Sequence, residues 1–176
     1  KAWEITAGTI TNLVNGNGKL YLPLVPAAAL QAVSSTTETV VHLSGSQTNG
    51  NALLAGVELT IPPNALFDDA GTRGGRIGLA AVPPDRLPEP LPPGLNLPLV
   101  ITIQTSGPMN FAEPVRAKFP NLPDPVTGQK LAPGAKTTLW SFNHDTGRWQ
   151  AAGPATVTED GDYVVSDPGY GIRQPG

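Results

Sequence analysis

The sequence predicts an all-β fold, an antiparallel β-sandwich with an additional N-terminal β segment. Three observations predict it. Apolar residues recur with period two in short runs, as in Val57, Leu59 and Ile61 with Glu58 and Thr60 between them; that period belongs to strands with one buried face. Glycine and proline, 20 of each in 176 residues, punctuate those runs, at about twice the usual share. Only one stretch has any helical character, so little competes with the strands.

Taken in order, "WEITAG" (3–8) and "GKLYLPL" (18–24) are strands flanking "NGNG" (15–18), a hairpin signal because Asn and Gly tolerate positive φ. The stretch "VPAAALQAVSS" (25–35) reads equally as a short helix, with Pro26 in its first turn, or as a loop with one or two turns. "ETVVHLSG" (38–45) is a strand with Val41 and Leu43 on one face and His42 on the polar face. "GVELTIP" (56–62) ends at Pro62-Pro63, where a missing N–H is tolerated. Ala65-Leu66-Phe67 is then expected to fold back as an apolar plug over an open end of the sandwich. After the turn "DDAGTRGG" come "GRIGLAAV" (75–82), the seven-proline crossover 83–98, and "LPLVITIQTSG" (97–107) with Leu99, Ile101 and Ile103 facing one way. Proline supplies no backbone donor, so the crossover is no central strand. "EPVRAKFP" (113–120) points Val115, Ala117 and Phe119 inward, with Arg116 and Lys118 outward. A second hairpin joins "TTLWSFN" (137–143) to "GRWQAAG" (147–153), and "DYVVSD" (162–167) closes the set.

Composition excludes several functions. Charged residues are 14% and the net charge is −3, with no basic patch, so nucleic-acid binding lacks its electrostatic footprint. No run of 18 apolar residues occurs, so no membrane span is expected. There is no cysteine, hence no disulfide, thiol nucleophile or zinc-thiolate site. Few lysines beside much Thr, Gly, Pro and Asn suit an extracellular or cell-surface module of a larger secreted bacterial protein. The chain divides into an N-terminal β segment (1–49), a sandwich (50–168) and "GYGIRQPG" (169–176), read as a linker stub.

"GVELTIPPNAL", then "IGLAAVPP", then "TSGPMNFAEPVRAKFP" resembles the ZO/Unc-five-type β-sandwich domain of ankyrins, netrin receptors and zonula-occludens scaffolds. The matching residues are Ile61, Pro62, Pro63, Ala65 and Leu66, then Gly107-Pro108, then Pro114-Val115, within about residues 50–123. "LWSFNHDTGRWQAAG" looks like the aromatic hairpin that follows such domains in secreted bacterial and cartilage-layer-like proteins. The resemblance implies a scaffolding or assembly module and no enzyme. Some relatives cleave themselves at His-Phe-Ser. Here Ser141-Phe142 and His144 stand in another order, so that activity is not carried over to these residues.

Several groups are candidates for chemistry. Asp145-Thr146-Gly147 matches the aspartic-protease triplet, but that chemistry needs two carboxylates sharing a proton and this chain has one copy; a hairpin loop is the expected role. His42 and His144 are the only histidines, and no Gly-x-Ser-x-Gly accompanies them. Asp160 and Asp162 in "EDGDY", and the paired acids of "FDDAG" (67–71), are calcium candidates, the plain turn being the simpler use. "RGGR" (73–76) is expected to be a solvated turn and, as the alternative, an anion site. If "HDTG" is a hairpin loop, Asn143 lies opposite Arg148 and Phe142 opposite Trp149, with Trp140 on the same side. Buried, that stripe is core; exposed, Trp140, Phe142 and Trp149 could stack on sugar rings. With ten aromatics in the chain, core is expected, and Trp3 and Tyr21 carry the same choice. The residues expected to hold the fold are Ile61, Pro62, Leu66, Ile101, Ile103, Phe119, Trp140, Phe142 and Trp149.

The function expected is a non-catalytic structural or protein-interaction module without a cofactor. Its partners would be neighbouring domains of the parent chain or another protein. Polysaccharide binding is the alternative and self-cleavage the third reading.

Overall fold

The computed structural model describes residues 25–43, 48, 54–108, 110–143 and 146–175. The strands expected at 3–8 and 18–24, with Trp3, Tyr21, His144 and Asp145, lie outside the described residues. The fold is all-β. Its strands are β1 (Gln31–Ala32), β2 (Thr39–His42), β3 (Glu58–Ile61), β4 (Leu66–Phe67), β5 (Arg76–Ala81), β6 (Ile101–Thr105), β7 (Asn110–Phe111), β8 (Arg116–Pro120), β9 (Lys136–Asn143), β10 (Arg148–Val157) and β11 (Tyr163–Ser166). They pair antiparallel in a six-stranded sheet, order β2-β3-β8-β11-β10-β9, a three-stranded sheet, β1-β5-β6, and a ribbon, β4-β7.

Period two decides which side chains meet between the sheets. Val57, Leu59 and Ile61 are fully buried, as are Val41, Leu66, Ile77, Val115 and Ala117. Burying a leucine or isoleucine side chain contributes about 1.5–3 kcal/mol. Beyond β2, Leu43 bridges to Leu79 of β5, so this edge of the sandwich is stitched by one chain. The outer face of the large sheet carries one register row, His42–Glu58–Lys118–Val165–Thr156–Lys136. Its charges pair: Lys118 Nζ lies 3.1 Å from Glu58 Oε1 and 4.1 Å from the centre of the Tyr163 ring.

The double proline behaves as its chemistry requires. β3 stops at Ile61, the chain turns through Pro63 and Asn64 (φ 62°), and Ala65 N–H donates to the Pro62 carbonyl. Ala65 and Leu66 are buried, and Leu66 pairs with Phe111 to cap the core.

The stretch at 25–35 has one 3-10 turn, Ala27–Ala29, and then β1. Its loop reading holds, because Val25 and Leu30 are needed over the outer side of β5. A Cβ on Gly78 would lie 2.7 Å from Val25 and 2.9 Å from Leu30; only glycine allows so close an approach. β1 pairs with β5 in the three-stranded sheet, and β2 with β3 in the six-stranded one.

The tail read as a linker stub is also bonded to the body. Val115 and Ile172 exchange both backbone hydrogen bonds, at 2.7 and 2.9 Å. Ile172 is buried in the core, and a Cβ on Gly171 would sit 2.0 Å from the Val115 carbonyl oxygen. "GYGIR" looks like linker by composition; what seats it is the space that glycine leaves beside β8. Among the described residues no helix is long and apolar enough to cross a membrane.

Candidate functional site

The β9–β10 hairpin has the register its sequence predicts. Asn143 is opposite Arg148, Phe142 opposite Trp149, and Trp140 opposite Ala151. Phe142 and Trp149 meet edge to face, centroids 5.5 Å apart at 70°. Asn143 Oδ1 accepts the Thr146 N–H and Gly147 takes φ 65°, so local turn chemistry sets the register.

The three aromatics are nevertheless not core, which corrects the expectation. Leu139 takes the inward position on β9 and joins the core. Alternation then places Trp140 and Phe142 on the opposite face, with Trp149 beside Phe142. All three are half-buried and outside the core cluster. The core is aliphatic, with Phe111 its only buried aromatic among the described residues. Of the other residues expected to hold the fold, Ile61, Leu66 and Ile103 are buried, Ile101 and Phe119 pack partly buried against the core, and Pro62 is half-buried.

The proline-rich crossover comes against this hairpin. Trp149 Nε1 donates to the Glu89 carbonyl at 3.0 Å. Further along, residues 95–99 wall a cavity of about 430 Å³ with residues 119–122, Asp124, Gln129, Leu131, Val164 and residues 137–140 of β9. Its lining is mostly leucine, proline and aromatic. Asp124 is its single charged residue, and hydrogen bonds from the Thr127 and Val126 backbone hold that carboxyl below its usual pKa. The loop forming the far wall is tied down by buried Asn121, whose Nδ2 donates to the Leu131 and Gly161 carbonyls at 2.9 and 2.8 Å. Sequence reading misses this cavity because its walls come from separate parts of the chain; the alternation of Leu95, Leu97 and Leu99 at the end of the proline-rich crossover is the signal available.

The other candidates are dispersed. His42 is exposed on β2, its Nδ1 4.0 Å from Glu58 Oε1. Asp160 accepts from Thr158 Oγ1 and from the Asp162 N–H, which holds its pKa down, the threonine bond first. That carboxylate organises the β10–β11 turn. Asp68 Oδ1 accepts the Thr72 N–H, and Asp69 Oδ1 accepts from Asn110. No group of three His, Cys, Asp or Glu able to hold a metal occurs among the described residues. The arginines of "RGGR" are exposed, in keeping with a solvated turn, and each also binds a carbonyl. Arg73 donates to the Asn64 carbonyl and lies 5.2 Å from the centre of the Phe67 ring, while Arg76 donates twice to the Leu30 carbonyl.

The geometry thus gathers apolar surface at one place, the hairpin with its crossover, while the titratable groups outside it serve turns, pairs and clamps. Comparison with protein-family models, characterised proteins and solved structures returned no match.

Proposed function

We propose that this chain is a non-catalytic structural or protein-interaction module of a larger extracellular or cell-surface protein, docking through the end where β9, β10 and the proline-rich crossover meet. The observation that carries this reading is the half-buried aromatic stripe, outside the core cluster, beside an apolar cavity that meets the core at Leu99, Phe119, Leu139 and Val164. Aromatic and apolar surface left half exposed next to rigid strands suits recognition of another protein. The use of polar groups supports it too. The carboxyls of Asp124, Asp160 and Asp167 are all held low by hydrogen bonds, Thr156 first at Asp167, which suits structural carboxylates; a general acid–base is tuned towards neutral pH. The resemblance to the ZO/Unc-five-type domain belongs to the same proposal, and the buried Ile61, Ala65 and Leu66 around the double proline support it.

A photo-cross-linking amino acid at position 140 or 149 of the full chain tests this. Cross-links into protein at both positions, absent with the same group at exposed His42, are expected. Turnover of ester, glycoside or peptide substrates that is lost in His42→Ala would overturn it. The glycan reading keeps one supporting observation, the shared face of Trp140, Phe142 and Trp149. A tryptophan emission shift on adding soluble polysaccharide, lost in Trp140→Ala, would favour it over protein docking.

A further inference from the structure

Resting on that docking end, we propose that the open edge of β9 takes an extended peptide as an added strand, with apolar side chains at alternate positions entering the cavity and a basic residue near Asp124.

The direction of the β9 backbone groups follows from one proline. Pro154 lies opposite Thr138 and has no N–H. Its carbonyl accepts the Asp167 N–H at 3.0 Å, so its polar side faces the β11 end of the sheet. Thr138 is therefore in a non-hydrogen-bonded pair, and its N–H and C=O point away from β10. Val157, three residues on, faces the other way and donates to the Ala135 carbonyl at 2.9 Å, as alternation requires. The irregularity of this hairpin lies on β10, between Ala151 and Gly153, and β9 is regular. Lys136 and Trp140 thus share the outward direction of Thr138. Among the described residues no strand pairs with this edge.

Open edges are usually short, charged, bulged or covered. The other sheet-edge strands are short, with two residues in β1, four in β2 and five in β6. β9 has eight, and Thr137 to Asn143 contains no charge and no proline. The one lysine, Lys136, is held by Asp167 at 2.9 Å and Thr156 at 2.6 Å. The cavity is placed for the same occupant. It touches residues 137, 138, 139 and 140 in succession; neighbours on a strand face opposite ways, so it must run along the edge before reaching Phe119 and Val164 between the sheets. A strand added there gains its affinity from the backbone ladder and its selectivity from alternate side chains meeting Leu95, Leu97 and Leu131. The ionised carboxylate of Asp124, the only charge in the lining, sets the sign of the peptide's charged residue.

The test is titration of the full chain with synthetic peptides of β9's length, eight residues. The peptides alternate Leu, Ile, Val or Phe with Ser or Thr, with and without a terminal Lys, and tryptophan emission and calorimetry follow binding. Saturable binding is expected, tighter with the Lys. Thr138→Pro should weaken it at least about tenfold, the loss of one well-formed backbone contact, with the fold kept because proline is tolerated where an N–H faces an open edge. Leu131→Glu at the exposed rim should weaken it too, and decides the matter if Thr138→Pro does not fold. The proposal is overturned if no peptide saturates, or if binding ignores both variants. It is equally overturned if the chain doubles in mass in a way lost in Thr138→Pro, since the edge then belongs to a second copy. Protein cross-links from position 149 that persist in Thr138→Pro would sink strand addition alone and leave the docking end standing.

Discussion

The two halves of the large sheet are covered in different ways. Under β2, β3 and β8 the three-stranded sheet lies over a floor of Val41, Val57, Leu59, Ile61, Val115 and Ala117, none of which reaches solvent. Outside, the charges of the same strands pair with each other. Beside β9 and β10 a proline-rich strap stands in place of a sheet, the aromatics of the hairpin are half-buried, and a cavity remains. The first half supplies stability. The second leaves apolar surface half exposed, without the dispersion contacts that a close-packed interior would have made.

That contrast can be broken by substitution. Leu59→Ala should be the most damaging change, costing about 3–5 kcal/mol because the site is fully enclosed and cannot collapse; chemical denaturation measures it. A cost under about 1 kcal/mol would mean that the aliphatic half is not the anchor. Gly171→Ala comes next. Its methyl would strike the Val115 carbonyl and part the Val115–Ile172 bridge, for about 2–3 kcal/mol. Unchanged stability would return the tail to the role of a linker. Trp149→Phe removes the bond to Glu89, worth about 1 kcal/mol, and trims the ring that meets Phe142. It should lower Tm by about 2–4 °C while raising hydrogen exchange along the crossover, which Leu59→Ala would not do selectively.

The smallest expected effect is in acid. Asp124, Asp160 and Asp167 have pKa values lowered in the folded state from an ordinary value of 3.8. Their stabilisation is present above that ordinary value and is lost as pH falls through it towards the lowered folded values. A Tm series should be level with respect to these groups above about pH 5 and decline below about pH 4. Thr156→Val should flatten the Asp167 part of that decline, since the threonine bond is the first cause there.

Legibility in the sequence followed the same division. Strand parity was readable in β2, β3 and β8: Val41 and Leu43, then Val57, Leu59 and Ile61, then Val115 and Ala117 all face the core as their alternation requires. The Phe142–Trp149 pairing was readable because a four-residue loop with Asn143 and Gly147 has local turn chemistry. The face of the stripe was misjudged. Aromatic residues suggest burial, yet Leu139 already held the inward parity, so Trp140 and Phe142 could only look outward. The tail at 169–172 misled for a related reason. Its glycines look like linker, and what seats Ile172 is a backbone pair with Val115, distant in the chain.

By itself the sequence determined the all-β class, the in–out parity of β2, β3 and the start of β8, and the ends imposed by Pro62, Asn64 and Gly147. These rest on period two and on backbone dihedral limits, which are properties of a few adjacent residues. The tertiary structure alone decided which strand edge is without a partner among the described residues, that the crossover would stop short of filling the space beside β9, and that Ile172 would close onto Val115. Those outcomes depend on distant segments competing for the same surface, and no local pattern records who wins.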